Sequence, residues 1–121
     1  FMFSCFKFVG SELADDKNLV KVVTDDAGYA LYFSRSRIPF DRAPFDAYKA
    51  HIGIYGYGAA NLKRFCSFAP STLENTEKLE QLRALSNGEK ILMLEVQSDS
   101  IGIDCEEDLQ RARAKFGIEL D

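Results

Sequence analysis

The sequence is poor in the residues that most often build metal and redox sites. It has a single histidine, His51, which excludes a multi-histidine metal site within these 121 residues. Its three cysteines form no Cys-x-x-Cys pair, and an odd number of cysteines favours free thiols in a reducing compartment. We therefore expect no disulfide framework, and we expect a cytoplasmic protein.

Three other features are missing, and each excludes a class of protein or site. The formal net charge is −4, and no basic patch indicates a nucleic-acid binder. No apolar run approaches the length of a membrane span. Neither common glycine-rich phosphate loop occurs, because the glycines at 53, 56 and 58 have the wrong spacing and context. A cradle for nucleotide phosphates, if there is one, is therefore expected outside this chain.

The residues that are present indicate one domain with a substantial core. Hydrophobic residues make up 46% of the chain, which is sufficient at this length. The opening run, Phe1–Val9, alternates like the interior of a strand and lacks the charged start and cleavage site of a signal peptide. Because a domain rarely starts in mid-strand, we expect the chain to be a piece of a longer protein.

Hydrophobic periodicity predicts strands mixed with helices. Leu19–Thr24 and Tyr29–Ser34 flank a turn at Asp25–Gly28, a pattern typical of an antiparallel hairpin. Such a mixture indicates an α/β fold with a mixed sheet. The remaining predicted elements are strands at His51–Gly58 and Ile91–Val96, the latter buried on both sides, and helices at Ala59–Phe65, Ser71–Arg83 and Cys105–Phe116.

The helix predicted at Ser71–Arg83 carries the most specific signals. Ser71, with Glu74 three residues later, matches a capping box, and Asn87-Gly88 supplies a left-handed stop. The residues expected to be buried are Leu73, Leu79, Leu82 and Leu85 in and after this helix, Leu62 and Phe65 in the preceding helix, and Leu109, Ala112 and Phe116 in the last one.

Two surfaces are candidates for binding a ligand. Glu80 and Gln81, about 100° apart around a helix, would project from one flank and could bind a polyol together. The alternative is an ordinary solvated face. On the strand at 51–58, His51 and Tyr55 share one face with glycines that leave room beside the backbone. The alternative there is packing against a neighbouring element.

Seven short motifs occur in a characteristic order from about Leu19 onward. They are Val20–Val23, Gly28–Arg35, Ile38–Arg42, His51–Tyr57, Leu79–Arg83, Gly88–Ile91 and Gly102–Leu109. Taken together, they resemble the C-terminal half of the 3-deoxy-manno-octulosonate (Kdo) cytidylyltransferase family. The resemblance implies that residues 1–121 are the C-terminal, sugar-binding and dimerisation half of one domain. It also implies the three-layer α/β fold of nucleotide-diphospho-sugar transferases.

The same resemblance implies an activity. Members of the family transfer CMP from CTP to the anomeric hydroxyl of Kdo and release pyrophosphate, and the product feeds lipopolysaccharide synthesis in the cytoplasm. They act as homodimers with Mg²⁺. CTP is bound mainly by the N-terminal half, which this chain lacks. We therefore expect the chain alone to be inactive.

The resemblance also assigns roles to residues. A guanidinium can hold the Kdo carboxylate through two hydrogen bonds, and polar side chains can bind its hydroxyls. Asp104 matches the family's C-terminal Mg²⁺ ligand. A carboxylate suits that role, because Mg²⁺ prefers oxygen ligands. The alternative is that Asp104 merely caps the last helix. No general base is assigned. The positions that match Kdo contacts are Arg42, His51, Tyr55, Glu80 and Gln81.

Three departures from the family pattern concern local loops and leave the resemblance itself intact. The connector between Arg42 and His51 is shorter, Thr72 replaces the usual proline, and Gly58 replaces the usual arginine. We expect these changes to alter local loop geometry. The alternatives are a related cytidylyltransferase for sialic acid or another acid sugar, and a non-catalytic sugar-binding or dimerisation fragment.

Overall fold

A mixed sheet forms the centre of the molecule. The computed structural model describes residues 1–97 and 106–117, and within them five strands pair in the order β3-β2-β4-β1-β5. β1 runs parallel to β5 and antiparallel to β4, while β2 pairs antiparallel with both β3 and β4. The strands are β1 (Met2–Val9), β2 (Lys21–Thr24), β3 (Ala30–Ser34), β4 (Tyr48–Gly56) and β5 (Ile91–Glu95).

Short helices accompany this sheet, and none of the described ones is long and apolar enough to cross a membrane. They are α1 (Ala59–Ser67), α2 (Thr72–Glu77), α3 (Leu82–Ser86) and α4 (Glu106–Phe116), together with a single 3-10 turn at Ser11–Leu13. The core lies between one face of the sheet and the segment that contains α2 and α3. Its buried members are Met2, Phe6, Val22, Ala30, Phe33, Leu79, Leu82, Ala84, Ile91 and Met93.

The predicted hairpin is confirmed. Asp25 accepts hydrogen bonds through Oδ1 from the backbone N–H groups of Ala27 (3.0 Å) and Tyr29 (2.9 Å), which closes the turn between β2 and β3. Gly28 takes a φ of 93°, which a residue with a side chain rarely adopts.

The strand predicted at His51–Gly58 is present, but it begins earlier and is irregular. It runs from Tyr48 to Gly56 as β4, so the preceding connector is shorter than expected. Its register against β1 passes from Ser4–Tyr55 to Cys5–Ile52, which makes β4 bulge by two residues. Ile54 is consequently exposed.

The prediction of one continuous helix at Ser71–Arg83 is wrong. α2 ends at Glu77, Lys78 adopts the left-handed conformation (φ 59°, ψ 46°), and α3 begins only at Leu82. Contacts with the sheet explain the break. Both carboxylate oxygens of Glu77 accept hydrogen bonds from β3 and the residue after it, and the chain then turns so that Leu79 enters the core.

Some expected burial is also wrong. Leu73 is 46% exposed, Leu62 42% and Leu94 42%, so β5 is not buried on both sides. Glu74, not Leu73, faces inward on α2, because its carboxylate forms an ion pair with Arg83. The other expectations are met by burial of Leu79, Leu82 and Ala112 and partial burial of Phe65, Leu85 and Leu109. Cys105 and the side chain of Phe116 lie outside the described residues.

Candidate functional site

The candidate site is centred on His51 in β4. Its Nε2 atom lies 2.8 Å from Ser4 Oγ in the neighbouring strand β1, and its Nδ1 atom lies 3.5 Å from Gln81 Nε2. The imidazole packs edge-on against the ring of Phe33 at 4.9 Å and lies 5.6 Å from the ring of Tyr55. The structure thus brings together three residues expected to contact a sugar: His51, Tyr55 and Gln81.

Burial sets the protonation states in this cluster. It lowers the pKa of His51 to about 4, so the imidazole is neutral near pH 7. Burial, helped by Tyr57 and the charge of Glu80, raises the pKa of Tyr55 to about 12. The Tyr55 side chain is 37% exposed and remains a phenol that can donate a hydrogen bond. His51 and Tyr55 therefore contribute neutral groups to the site.

The turn between α2 and α3 carries the two polar candidates. Glu80 and Gln81 do not share a helical flank, because the expected helix is broken here. Instead, Glu80 is exposed, whereas Gln81 is only 5% exposed and contacts His51. Glu80 is near enough to Tyr55 for its charge to act on the phenol. These four residues form what we call the His51 cluster: His51, Tyr55, Glu80 and Gln81.

Arg42 is not part of the His51 cluster in this structure. It is exposed on the connector between β3 and β4, three residues after Pro39. A guanidinium on an exposed loop is available to an anion from solvent, but its contact with a sugar carboxylate stays a prediction.

An ion pair between the buried Glu74 and the partly exposed Arg83 supports the turn that carries Gln81. Arg83 donates from Nε to Glu74 Oε1 (2.9 Å) and from a terminal nitrogen to Oε2 (2.6 Å), which is a two-point contact. These hydrogen bonds lower the pKa of the Glu74 carboxyl. The same carboxylate accepts from Ser71 N, and Ser71 Oγ accepts from Glu74 N, so the predicted capping box is confirmed.

Sequence reasoning missed two groups that hold the site. Ser4 binds His51, and its signal was a polar residue in the period-two row of buried residues formed with Met2 and Phe6. Glu77 accepts hydrogen bonds from Tyr32 OH at 3.0 Å and from the backbone N–H of Arg35, just after β3, and these contacts fix the end of α2. No local pattern distinguishes Glu77 from an ordinary solvated glutamate.

The metal prediction is not decided by the described residues. Within residues 1–97 and 106–117, no three His, Cys, Asp or Glu side chains gather in a group that could hold a metal ion. Asp104, the predicted Mg²⁺ ligand, lies outside that range. Its role remains a prediction.

Comparison with known proteins identifies the family. The family model described as "Cytidylyltransferase" matches residues 1–91. This chain belongs to the cytidylyltransferase family. This cytidylyltransferase chain is 53% identical, over 97% of its length, to a 3-deoxy-manno-octulosonate cytidylyltransferase of Wolinella succinogenes, of which it covers 50%. It is 52% identical, over 99% of its length, to the protein of the same name from Helicobacter pylori strain J99, of which it covers 51%.

A solved structure agrees with these relatives. It is CMP:2-keto-3-deoxy-manno-octonic acid synthetase complexed with CTP, and it superimposes with a TM-score of 0.86 at 33% identity. The match covers 96% of this chain and 48% of the other. The predicted α/β fold and the family resemblance are thereby confirmed. The cytidylyltransferase chain spans about half the length of the relatives it matches. That it is the C-terminal half stays a prediction.

Proposed function

We propose that the protein carrying this chain transfers CMP from CTP to Kdo and releases pyrophosphate. The chain itself supplies the sugar-binding half. One observation supports this most strongly: in a chain about half identical to proteins named for this activity, three predicted Kdo contacts, His51, Tyr55 and Gln81, lie against one another in the His51 cluster. The product would serve lipopolysaccharide synthesis in the cytoplasm.

The chemistry of the His51 cluster suits a polyhydroxylated acid sugar. Sugar hydroxyls both donate and accept, and the cluster offers a phenol, an amide and a carboxylate, with the neutral imidazole of His51 behind the amide. Burial of Gln81 makes its hydrogen bonds selective, because an unpaired buried amide is costly. Arg42, from its exposed connector, would bind the Kdo carboxylate.

The remaining parts of the proposed reaction would involve groups outside the described residues. The anomeric oxygen of Kdo would attack the α-phosphorus of CTP in line, and the bond to pyrophosphate would break. The CTP site would belong to the other half of the protein. Asp104 would contribute a ligand to Mg²⁺, which when bound neutralises charge on the phosphates. Association as a homodimer completes the proposal.

The test is pyrophosphate release by the protein that carries this chain, with CTP and increasing Kdo. We expect Gln81→Ala to raise the KM for Kdo roughly tenfold or more, because it removes a buried hydrogen-bonding group. The control is Asn75→Ala on the exposed side of α2, which should behave like the wild type. Turnover of sialic acid but not Kdo would replace the proposed substrate. Absence of pyrophosphate release with both sugars would overturn the proposal.

A further inference from the structure

The position of Ser4 restricts which acceptor its single hydroxyl hydrogen can bind. The side chain is fully buried in β1, and Oγ lies 2.8 Å from the Ile54 carbonyl oxygen, 3.3 Å from the Ile52 carbonyl oxygen and 2.8 Å from His51 Nε2. Carbonyl oxygens only accept hydrogen bonds. The hydroxyl must therefore donate to the carbonyls at the β4 bulge, and the remaining contact requires His51 Nε2 to donate to Ser4 Oγ.

This arrangement decides which nitrogen of His51 carries the proton. A neutral imidazole has one N–H and one unprotonated nitrogen. Burial keeps the ring neutral by lowering the pKa of His51 to about 4. With the proton on Nε2, Nδ1 is left with a lone pair that can only accept.

The lone pair on His51 Nδ1 in turn orients the Gln81 amide. Gln81 Nε2 is the amide atom that faces Nδ1, at 3.5 Å, the outer limit of hydrogen-bonding distance. The opposite amide orientation would place two acceptors, Oε1 and Nδ1, against each other. The amide nitrogen is therefore directed to His51, and the amide oxygen lies on the side away from it.

We propose that Ser4 is a positioning residue that selects the Nε2–H tautomer of His51 and thereby holds the Gln81 amide with its oxygen available to accept a hydrogen bond from a sugar hydroxyl. The last step rests on the proposed function, whereas the tautomer and the amide orientation do not. Specificity at this position would then be for a ligand hydroxyl that donates, and a ligand acceptor would be disfavoured.

The first experiment reads the tautomer directly. His51 is the sole histidine of the 121-residue chain, so its imidazole nitrogens give one pair of ¹⁵N signals, which His51→Gln identifies by their loss. At pH 7 we expect a protonated Nε2 and an unprotonated Nδ1. A protonated Nδ1 in the wild type would overturn the proposal without any variant at Ser4.

Two variants separate positioning from packing. Ser4→Ala should lose the preference for the Nε2–H tautomer and yield signals of mixed tautomers, whereas Ser4→Thr keeps a hydroxyl and should restore it. A packing role alone would change stability and leave the tautomer unmoved. An unchanged Nε2–H signal in folded Ser4→Ala would therefore contradict the proposal, and if that variant does not fold, the wild-type tautomer and Ser4→Thr still decide it.

The second experiment tests the link to the sugar. Kdo affinity of the protein carrying this chain should fall roughly five- to tenfold in Ser4→Ala, the loss expected for one misdirected hydrogen bond. The matched control is Ser67→Ala, which removes an exposed hydroxyl at the end of α1. Unchanged Kdo affinity in Ser4→Ala would break the link between the tautomer and sugar binding. Failure of the wild type to bind Kdo would instead overturn the proposed function, while the ¹⁵N spectrum still decides the role of Ser4.

Discussion

The neutral state of His51 makes the stability of the protein depend on pH. In the folded chain burial lowers the pKa of His51 to about 4, whereas an exposed histidine in the unfolded chain titrates near 6.5. Between these values the unfolded chain binds more protons. The free energy of unfolding should therefore be at its full value above about pH 6.5 and decrease, by at most about 3 kcal/mol, as the pH falls towards 4.

Urea unfolding at pH 7.5 and pH 4.5 checks this prediction. The matched variant is His51→Gln, which keeps a polar side chain in the cluster but removes the titrating group. We expect the wild type to lose distinctly more stability than the variant between the two pH values. Equal losses in both proteins would show that His51 is not held neutral by burial.

Residues in the site differ in how far the sequence could identify them. His51 and Tyr55 share a face of one strand, so their proximity followed from the period of two. Gln81 reached the site for a different reason from the one expected, because it lies in a turn and not on a helical flank. Ser4 could be identified from the sequence only by its place in a buried row, since its partner His51 is 47 residues away.

At the scale of elements, the break between α2 and α3 shows tertiary contacts overriding helix propensity. Lys78, Leu79, Glu80 and Gln81 are good helix formers, and no glycine or proline signals a break. The hydrogen bonds of Glu77 and the burial of Leu79 compensate for the break in the helix. By contrast, the capping box and the stop at Gly88 depend on neighbouring residues only, and the sequence was sufficient for both.

Substitution of Lys78 by glycine gives opposite results for a broken and a continuous helix. At φ 59° a side chain is strained, so Lys78→Gly should stabilise the protein by about 0.5–1 kcal/mol. In a helix interior the same substitution would cost about 1 kcal/mol. Asn75→Gly, inside α2, is the control and should destabilise. Thermal unfolding of both variants is the measurement. A loss of stability in Lys78→Gly would contradict the break and favour a continuous helix.

The contact between Glu74 and Arg83 should be the main brace of these two helices. Glu74→Ala removes the two-point ion pair and half of the capping box at once. We expect a loss of about 2–4 kcal/mol in the free energy of unfolding, since it leaves the half-buried Arg83 guanidinium unpaired. Asn75→Ala should change it by less than about 0.5 kcal/mol. Similar urea midpoints for the two variants would mean that the ion pair contributes nothing.

At the scale of the whole molecule, the order of the strands could not be read from the sequence. Each strand has its own pattern, but β1 pairs with β5 across almost ninety positions of chain, and nothing local specifies that partner. The close packing of the Phe3 ring on Gly56, where a Cβ would collide with it, is likewise a property of the β1–β4 pair. Periodicity thus predicted the elements, whereas the topology required the structure.

The strand order predicts a gradient of hydrogen exchange. β1 is paired on both sides, by β4 and β5, whereas β3 has β2 as its only strand-length partner among the described residues. Amides of β1 should therefore exchange more slowly than those of β3, since they open only with the sheet. Exchange followed by NMR at constant pH is the measurement. Faster exchange in β1 than in β3 would be inconsistent with a central β1.

The central claim is that the His51 cluster binds Kdo, and a Kdo titration of the protein carrying this chain tests it most directly. The account predicts saturable binding in the wild type and in Asn75→Ala, and binding weakened by roughly tenfold or more in Gln81→Ala and Glu80→Ala. Saturable binding of the same strength in all four proteins, or no binding of Kdo to the wild type, would contradict it.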